Sequence, residues 1–237
     1  MHDDDRLSPP WEDIDTVLLD LDGTLLDLHF DNHFFLRHLP RRFAEMRDLS
    51  PERAQAELDL GYKAVEGTLD WYCLDYWERR LELDIIALKV EIGHLVGWRP
   101  HASAFLDALV AAGKRRVLAT NAHPASIAFK FERIAVGDRL DALYSAHELG
   151  APKEDPRYWD ALQEQEGFDP RRSIFFDDNA RVLASARDWG IAHVIGIRHP
   201  DSRRPANPLE GFESVDDFHH VEAPVPLDAG TECGEKP

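Results

Sequence analysis

Four short apolar runs constrain the fold of this chain more than any other feature: TVLLDLD (16–22), RRVLATN (115–121), SIFFDDN (173–179) and AHVIGI (192–197). Brief runs rich in branched residues, without strict alternation, have the pattern of strands buried on both faces. Segments of helical period separate them. HASAFLDALVAAGK is closed by Gly113 before the second run, and further helices are expected over 124–135, 156–166 and 179–188. Strand and helix in alternation predict an α/β fold, a parallel sheet with helices on both faces.

The stretch 30–98 contains no such run. FDNHFFLRHLP reads as a helix closed by Pro40. SPERAQAELDLGYKAVEG opens with Ser50 as N-cap and Pro51 at the first helical position. DWYCLDYWERRLEL and DIIALKVEIGHLV continue the helical theme. A helical domain over 30–98 is therefore expected, inserted into a core domain built from 13–29 and 99–222. At 237 residues, one core with one sizeable insertion fits best. Polar, Pro- or Gly-rich tails at 1–12 and 223–237 read as flexible.

Charge narrows the partners. Against 27 Lys and Arg stand 45 Asp and Glu, a net charge of −18, which disfavours nucleic acid and anionic membrane as partners. An anionic small molecule would need local positive charge to enter. The two cysteines, Cys73 and Cys233, are too few for a disulfide framework or a zinc cluster. MHDDDRLSPP lacks a signal-peptide pattern, and no apolar stretch approaches the ~18 residues of a membrane span. A soluble, cytoplasmic protein is the expectation.

The chemistry sits where the runs end. Asp20 and Asp22 are two residues apart, so in a strand both carboxylates leave the same face. They stand at a strand's carboxyl end, where open α/β sheets place ligands, and Gly23 permits a sharp turn beyond them. Alone, an Asp-x-Asp pair also suits a solvated turn. The other runs tip the balance. The second closes on Thr120 and Asn121, neutral groups suited to gripping phosphoryl oxygens. Lys153 opens a loop before a helix, and the third run closes on Asp177 and Asp178. In a parallel sheet all carboxyl ends share one edge, so these groups converge. Acidic oxygens, one ammonium and one hydroxyl together suit a Mg²⁺ and phosphate site.

In this order and context the chain resembles the phosphatases of the haloacid dehalogenase (HAD) superfamily. Their four motifs are matched by Asp20-x-Asp22-Gly23-Thr24, Thr120-Asn121, Lys153 and Asp177-Asp178, across about residues 15–200. The resemblance implies a Rossmann-like core sheet and a helical (type 1) cap domain at 30–98. WEDIDTVLLDLDGTLLDLHFDNHFF, TLDWYCLDYW, TNAHP and PKEDPRYW are similar, more narrowly, to the bacterial GMP/IMP 5′-nucleotidases of that superfamily.

That resemblance implies Mg²⁺-dependent hydrolysis of purine nucleoside monophosphates, with Asp20 as nucleophile. A carboxylate attacking phosphorus gives an acyl phosphate and splits hydrolysis into two easier steps. Asp22 is implied as general acid and then base. Lys153 and Thr120 would position and neutralise the transferring group, assisted by Asn121. Metal ligands are expected at Asp20, the Asp22 carbonyl and Asp177, with Asp178 orienting a metal-bound water or pairing with Lys153. Asp22 separates the chain from the dehalogenases, whose halide leaving group needs no acid. A phosphonatase needs a Schiff-base lysine from its cap; Lys63 and Lys89 lie in segments unlike that family's.

For substrate recognition, His29 and Asn32 are singled out as polar groups just beyond the first motif. Trp71 and Tyr72, with Tyr76 and Trp77, are candidates to stack on a purine. Each also fits a plainer role, as a polar helix start or as helix packing. His123 either joins the phosphate grip or caps the following helix. Other readings stay open: a phosphatase for another small phosphate ester, a sugar-phosphate mutase, or a catalytically silent scaffold.

Overall fold

The computed structural model describes residues 6–227. Residues 1–5 and 228–237, Cys233 among them, lie outside it. Six strands, β1 (Thr16–Leu19), β2 (Arg115–Thr120), β3 (Ala142–Ser145), β4 (Ser173–Asp177), β5 (His193–Ile197) and β6 (Glu213–Val215), form one sheet. Every neighbouring pair is parallel, in the order β3-β2-β1-β4-β5-β6. The four apolar runs supply β1, β2, β4 and β5. The sheet's two outermost strands, β3 and β6, escaped the reading because edge strands are short and only partly buried.

Between β1 and β2 the chain runs through α1 (His29–His33), α2 (Leu39–Arg47), α3 (Pro51–Val65), α4 (Leu69–Tyr72), α5 (Leu74–Leu81) and α6 (Ile85–Glu91). Phe30, Phe34, Leu58, Trp77 and Leu88 belong to an apolar cluster of this insertion, which Phe129 of the core joins. Ser50 caps α3 as expected, its side chain accepting from the Arg53 N–H at 3.3 Å. Pro40 differs from expectation, because the helix passes through it. A π-helical turn over Phe34–His38 precedes α2, with the Leu39 N–H bonded to the Phe34 carbonyl. That wider turn restarts the ladder, so Pro40 falls in the first turn of α2, where no N–H is required.

α7 (Ala102–Ala111) leads into β2, and α8 (Pro124–Phe131), α9 (Ala146–Leu149), α10 (Pro156–Glu166) and α11 (Ala180–Trp189) complete the helices. Alternate strand residues face opposite layers. Val17, Leu19 and Phe176 pack with Phe105, Leu106 and Ile127 of α7 and α8. Leu18, Val117 and Phe175 pack with Trp159, Leu162 and Val182 of α10 and α11. Burial on both faces is why the runs lack polar alternation.

The flexible N-terminal tail expected over 1–12 is corrected for residues 6–12. The Leu7 N–H donates to the His220 carbonyl at 2.8 Å, and the Glu222 N–H returns a bond to Leu7 at 2.8 Å. Trp11 Nε1 donates to the Glu222 carbonyl at 2.7 Å. Backbone pairing with a distant segment ties down what composition alone marks as loose. Of the other tail, 223–227 are described, with Val225 and Leu227 exposed. Among the described residues, no helix is long and apolar enough to cross a membrane.

Candidate active site

β1 is the strand from which the sheet order departs in both directions, so its carboxyl end is the switch point of the topology. Pairing continues one residue past it: the Asp20 N–H donates to the Phe176 carbonyl at 3.0 Å. The chain then turns on Gly23, at φ 98°, whose N–H donates to the Leu26 carbonyl at 2.7 Å. A Cβ on Gly23 would stand 2.7 Å from Asp178 Cγ and Oδ2, so the absence of a side chain lets the two acidic loops approach.

Lys153 is the centre of the cluster. Its Nζ lies 2.5 Å from Asp20 Oδ1 and 2.6 Å from Asp177 Oδ2, and its side chain is almost fully buried. The backbone around it is fixed from two sides. Asn121 Oδ1 accepts from the Lys153 N–H at 2.8 Å, and Trp159 Nε1 donates to the Lys153 carbonyl at 2.9 Å. Asn121 Nδ2 donates in turn to Glu154 Oε2 at 3.0 Å. Thr120 Oγ1 accepts from the Ala122 N–H at 3.0 Å, leaving its own proton free to donate.

Burial opposes ionisation throughout this cluster. It pushes the Asp20 carboxyl up to about 6, with Asp177 adding repulsion and Lys153 pulling the other way. Asp177 is raised by burial against the pull of Lys153. Asp178 is raised well above its ordinary value by burial, Asp177 and Asp20. Burial works against Lys153 too, yet Asp177 and Asp20 outweigh it and keep the ammonium charged. Three carboxylates against one ammonium leave −3 + 1 = −2 when all are ionised. Among the described residues Asp178 has no cationic partner within salt-bridge distance. Hard oxygen donors with that uncompensated charge fit a divalent cation.

Asp22 belongs to a second buried network. Lys130 of α8 donates to Asp22 Oδ1 and to Asp31 Oδ2, both at 2.6 Å. Lys89 of α6 donates to Asp31 Oδ1 at 2.9 Å and to Ser126 Oγ at 3.3 Å. Burial raises Asp22 to about 6 despite Lys130. At Asp31 burial acts in the same direction, but Lys130 and Lys89 prevail and hold it down at about 2. The network joins the insertion to the core, since Asp31 and Lys89 lie on inserted helices and Asp22, Ser126 and Lys130 do not.

A pocket of about 420 Å³, in the range of small-molecule sites, opens above both networks. Asp20, Asp22, Thr120, Asn121, Lys153 and Asp177 all line it, as does Asp178. Phe35, Tyr62, Trp71, Tyr72 and Trp77 form an aromatic wall from the insertion. Trp77 is packed into the insertion and donates to the Trp71 carbonyl at 3.0 Å, whereas Trp71 is 36% exposed. Tyr72 donates its hydroxyl to Glu154 at 2.8 Å.

Asn32 reaches the pocket wall and donates to Asp201 at 2.8 Å. His29 is not part of the lining; its Nδ1 lies 3.5 Å from Asp201 Oδ1. His123 both lines the pocket and caps α8, its Nδ1 accepting from the Ala125 N–H at 3.3 Å.

Sequence reasoning missed Lys130, Asp31, Glu154 and the placement of Lys89. Lys130 shares the buried side of α8 with Ile127, so a lysine on an apolar stripe was the available signal. Its partners lie 108 and 99 residues away, and nothing local names them.

The family described as haloacid dehalogenase-like hydrolase matches residues 14–190. The chain is 41% identical over 211 residues to the GMP/IMP nucleotidase YrfG of Escherichia coli (strain K12), covering 89% of this chain and 95% of that protein. The Shigella flexneri protein of the same name matches to the same extent. Among solved structures, a HAD phosphatase from Thermococcus onnurineus superposes with a TM-score of 0.71 at 17% identity, covering 87% of this chain and 95% of that one. L-2-haloacid dehalogenase from Xanthobacter autotrophicus gives a TM-score of 0.52 at 18% identity, with 78% of each chain covered. These two likenesses bear on the fold alone.

The Gly23 contact generates a prediction. Gly23→Ala should displace the Asp178 carboxylate and strain the loop, lowering stability by about 1–3 kcal/mol and weakening divalent-cation affinity. Urea unfolding and calorimetric cation titration measure both. Wild-type values for both would show that the close approach is dispensable.

Proposed function

The chain belongs to the haloacid dehalogenase-like hydrolases, and from that premise we propose that it is a phosphatase hydrolysing GMP and IMP to nucleoside and phosphate. The observation that carries the chemistry is the Asp20–Lys153–Asp177 cluster at the floor of an aromatic-walled pocket. Identity of 41% with a GMP/IMP nucleotidase, across most of both chains, supports the substrate. A cytoplasmic location is proposed together with that substrate.

Each residue's task follows from where it stands. Lys153 holds Asp20 by Oδ1, which leaves Oδ2 to attack phosphorus. With its carboxyl at about 6, Asp20 is mostly ionised at neutral pH, as a nucleophile must be. In the first step the Oδ2–P bond forms, the P–O5′ bond breaks, and Asp22 gives its proton to the departing O5′. In the second, water attacks the aspartyl phosphate, Asp22 takes the water's proton, and phosphate departs. A carboxyl held at about 6 suits both halves of that exchange near neutral pH.

Lys153 and the Thr120 hydroxyl balance and orient the phosphoryl oxygens, and Asn121 fixes the Lys153 loop. Mg²⁺ is the proposed cation, with Asp20, Asp177, Asp178 and the Asp22 carbonyl to hold it; when bound, it supplies neutralisation between carboxylate and phosphate. Trp71 and Tyr72 are proposed to face the purine and Asn32 the ribose side, with His29 acting behind Asn32 through Asp201. Lys130 is the positioning residue for Asp22.

Two measurements test this reading. Assayed for free phosphate with Mg²⁺, GMP and IMP should turn over faster than sugar phosphates, and chelation should abolish the reaction. Turnover of a sugar phosphate with none of GMP or IMP would end the nucleotidase claim. Lys130→Met should slow GMP hydrolysis by about 100-fold or more, the range of a lost general acid. The first step alone, read as the burst of phenol from an aryl phosphate whose leaving group needs no proton, should lose less than about tenfold. A burst slowed as much as GMP hydrolysis would remove Lys130 from the protonation step.

A further inference from the structure

One cluster at the pocket rim has no part in the chemistry above. Cys73, His123 and His147 each present a ligand atom, all within 4.8 Å of one another, and each residue is half-buried. They come from three separate segments. Cys73 joins α4 to α5 in the insertion, His123 precedes α8 beyond β2, and His147 lies in α9 beyond β3. Parallel pairing of β2 with β3 brings the two histidines to one edge, their rings 4.8 Å apart at 69°.

The chemistry of the three groups is that of a borderline-soft cation. His147 Nε2 is buried without a hydrogen-bond partner, an uncommon state for a ring nitrogen. Burial holds both imidazoles below their ordinary pKa, so both are neutral, the form that ligates. A thiol and two imidazoles select zinc over the oxygen-seeking cation of the carboxylate centre.

From this geometry we propose that Cys73, His123 and His147 form a Zn²⁺ site that ties the helical insertion to the core, distinct from the carboxylate centre. Tetrahedral zinc with Zn–N and Zn–S bonds of about 2.0–2.3 Å sets its ligands roughly 3.3–3.8 Å apart. The present separations close to that with shifts of about 1 Å, within rotamer reach of three side chains. Binding releases the Cys73 thiol proton, giving a thiolate. For His123 to ligate through Nε2, its proton moves to Nδ1 and the long contact from Ala125 is given up. Asp75, with Oδ1 3.7 Å from His123 Nε2, is near enough to offer the fourth ligand; water is the alternative.

Cobalt reports on this site because a thiolate ligand gives Co²⁺ a near-ultraviolet charge-transfer band that carboxylates do not. The metal-stripped full chain, in excess Mg²⁺ to occupy the carboxylate centre, is titrated with Co²⁺ and then with Zn²⁺. The expected result is one Co²⁺ per chain with that band, erased by one equivalent of Zn²⁺. Cys73→Ser should abolish the band, and His147→Gln should weaken Zn²⁺ binding by about 10–100-fold or more. Phosphate release in Mg²⁺ should stay at the wild-type rate in both. Absence of the band in the wild type overturns the proposal, whatever the variants do. So does Zn²⁺ affinity unchanged in Cys73→Ser and His147→Gln, which would assign the ion to the carboxylates.

Discussion

One ammonium, that of Lys153, makes the carboxyl edge of this sheet possible. Asp20, Asp177 and Asp178 repel one another in a setting where burial already disfavours their charged forms. Lys153 bonds two of them at once, and its loop is fixed by Asn121 from β2's end and Trp159 from α10. Removing one member of a buried charge group leaves the others uncompensated, which costs far more than an exposed pair would. The parallel sheet serves this cluster. It brings the ends of β1, β2 and β4 to one edge, and its two apolar faces supply the burial that keeps the groups close.

The helical insertion is joined to the core by apolar and charged contacts together. Phe129 of α8 stacks on Phe30 with ring centroids 5.7 Å apart. One residue on, Lys130 and Lys89 share Asp31, and Lys130 reaches Asp22. A further link runs from Tyr72 through Glu154 to Asn121. Buried ion pairs of this kind fix geometry more than they add stability. On the proposed mechanism, the insertion therefore does more than wall the pocket, because it helps set the position of the acid.

Much of this was legible in the sequence where burial writes a pattern. Strands covered on both faces read as apolar runs, and acidic or hydroxyl groups at their ends stood out against them. Ser50 and Gly113 marked helix ends through local chemistry. What could not be read depended on distant partners. Lys130 looks like any helical lysine until Asp22 and Asp31 are brought to it, and the anchoring of residues 6–12 needs the segment at 220–222. Pro40 misled because a π-helical turn, which has no compositional signature, relieves its conflict with the helix. Cys73, His123 and His147 carry no ligand spacing, since three segments must meet before they are neighbours.

The central claim is that Asp20 becomes transiently phosphorylated. During steady turnover of GMP, rapid acid quench and borohydride reduction should convert an aspartyl phosphate at position 20 to homoserine, located by peptide mass mapping. Homoserine at position 20, absent without substrate, is the expected result. Phosphate release at full rate with position 20 unmodified, or with the modification on another carboxylate, would contradict the account.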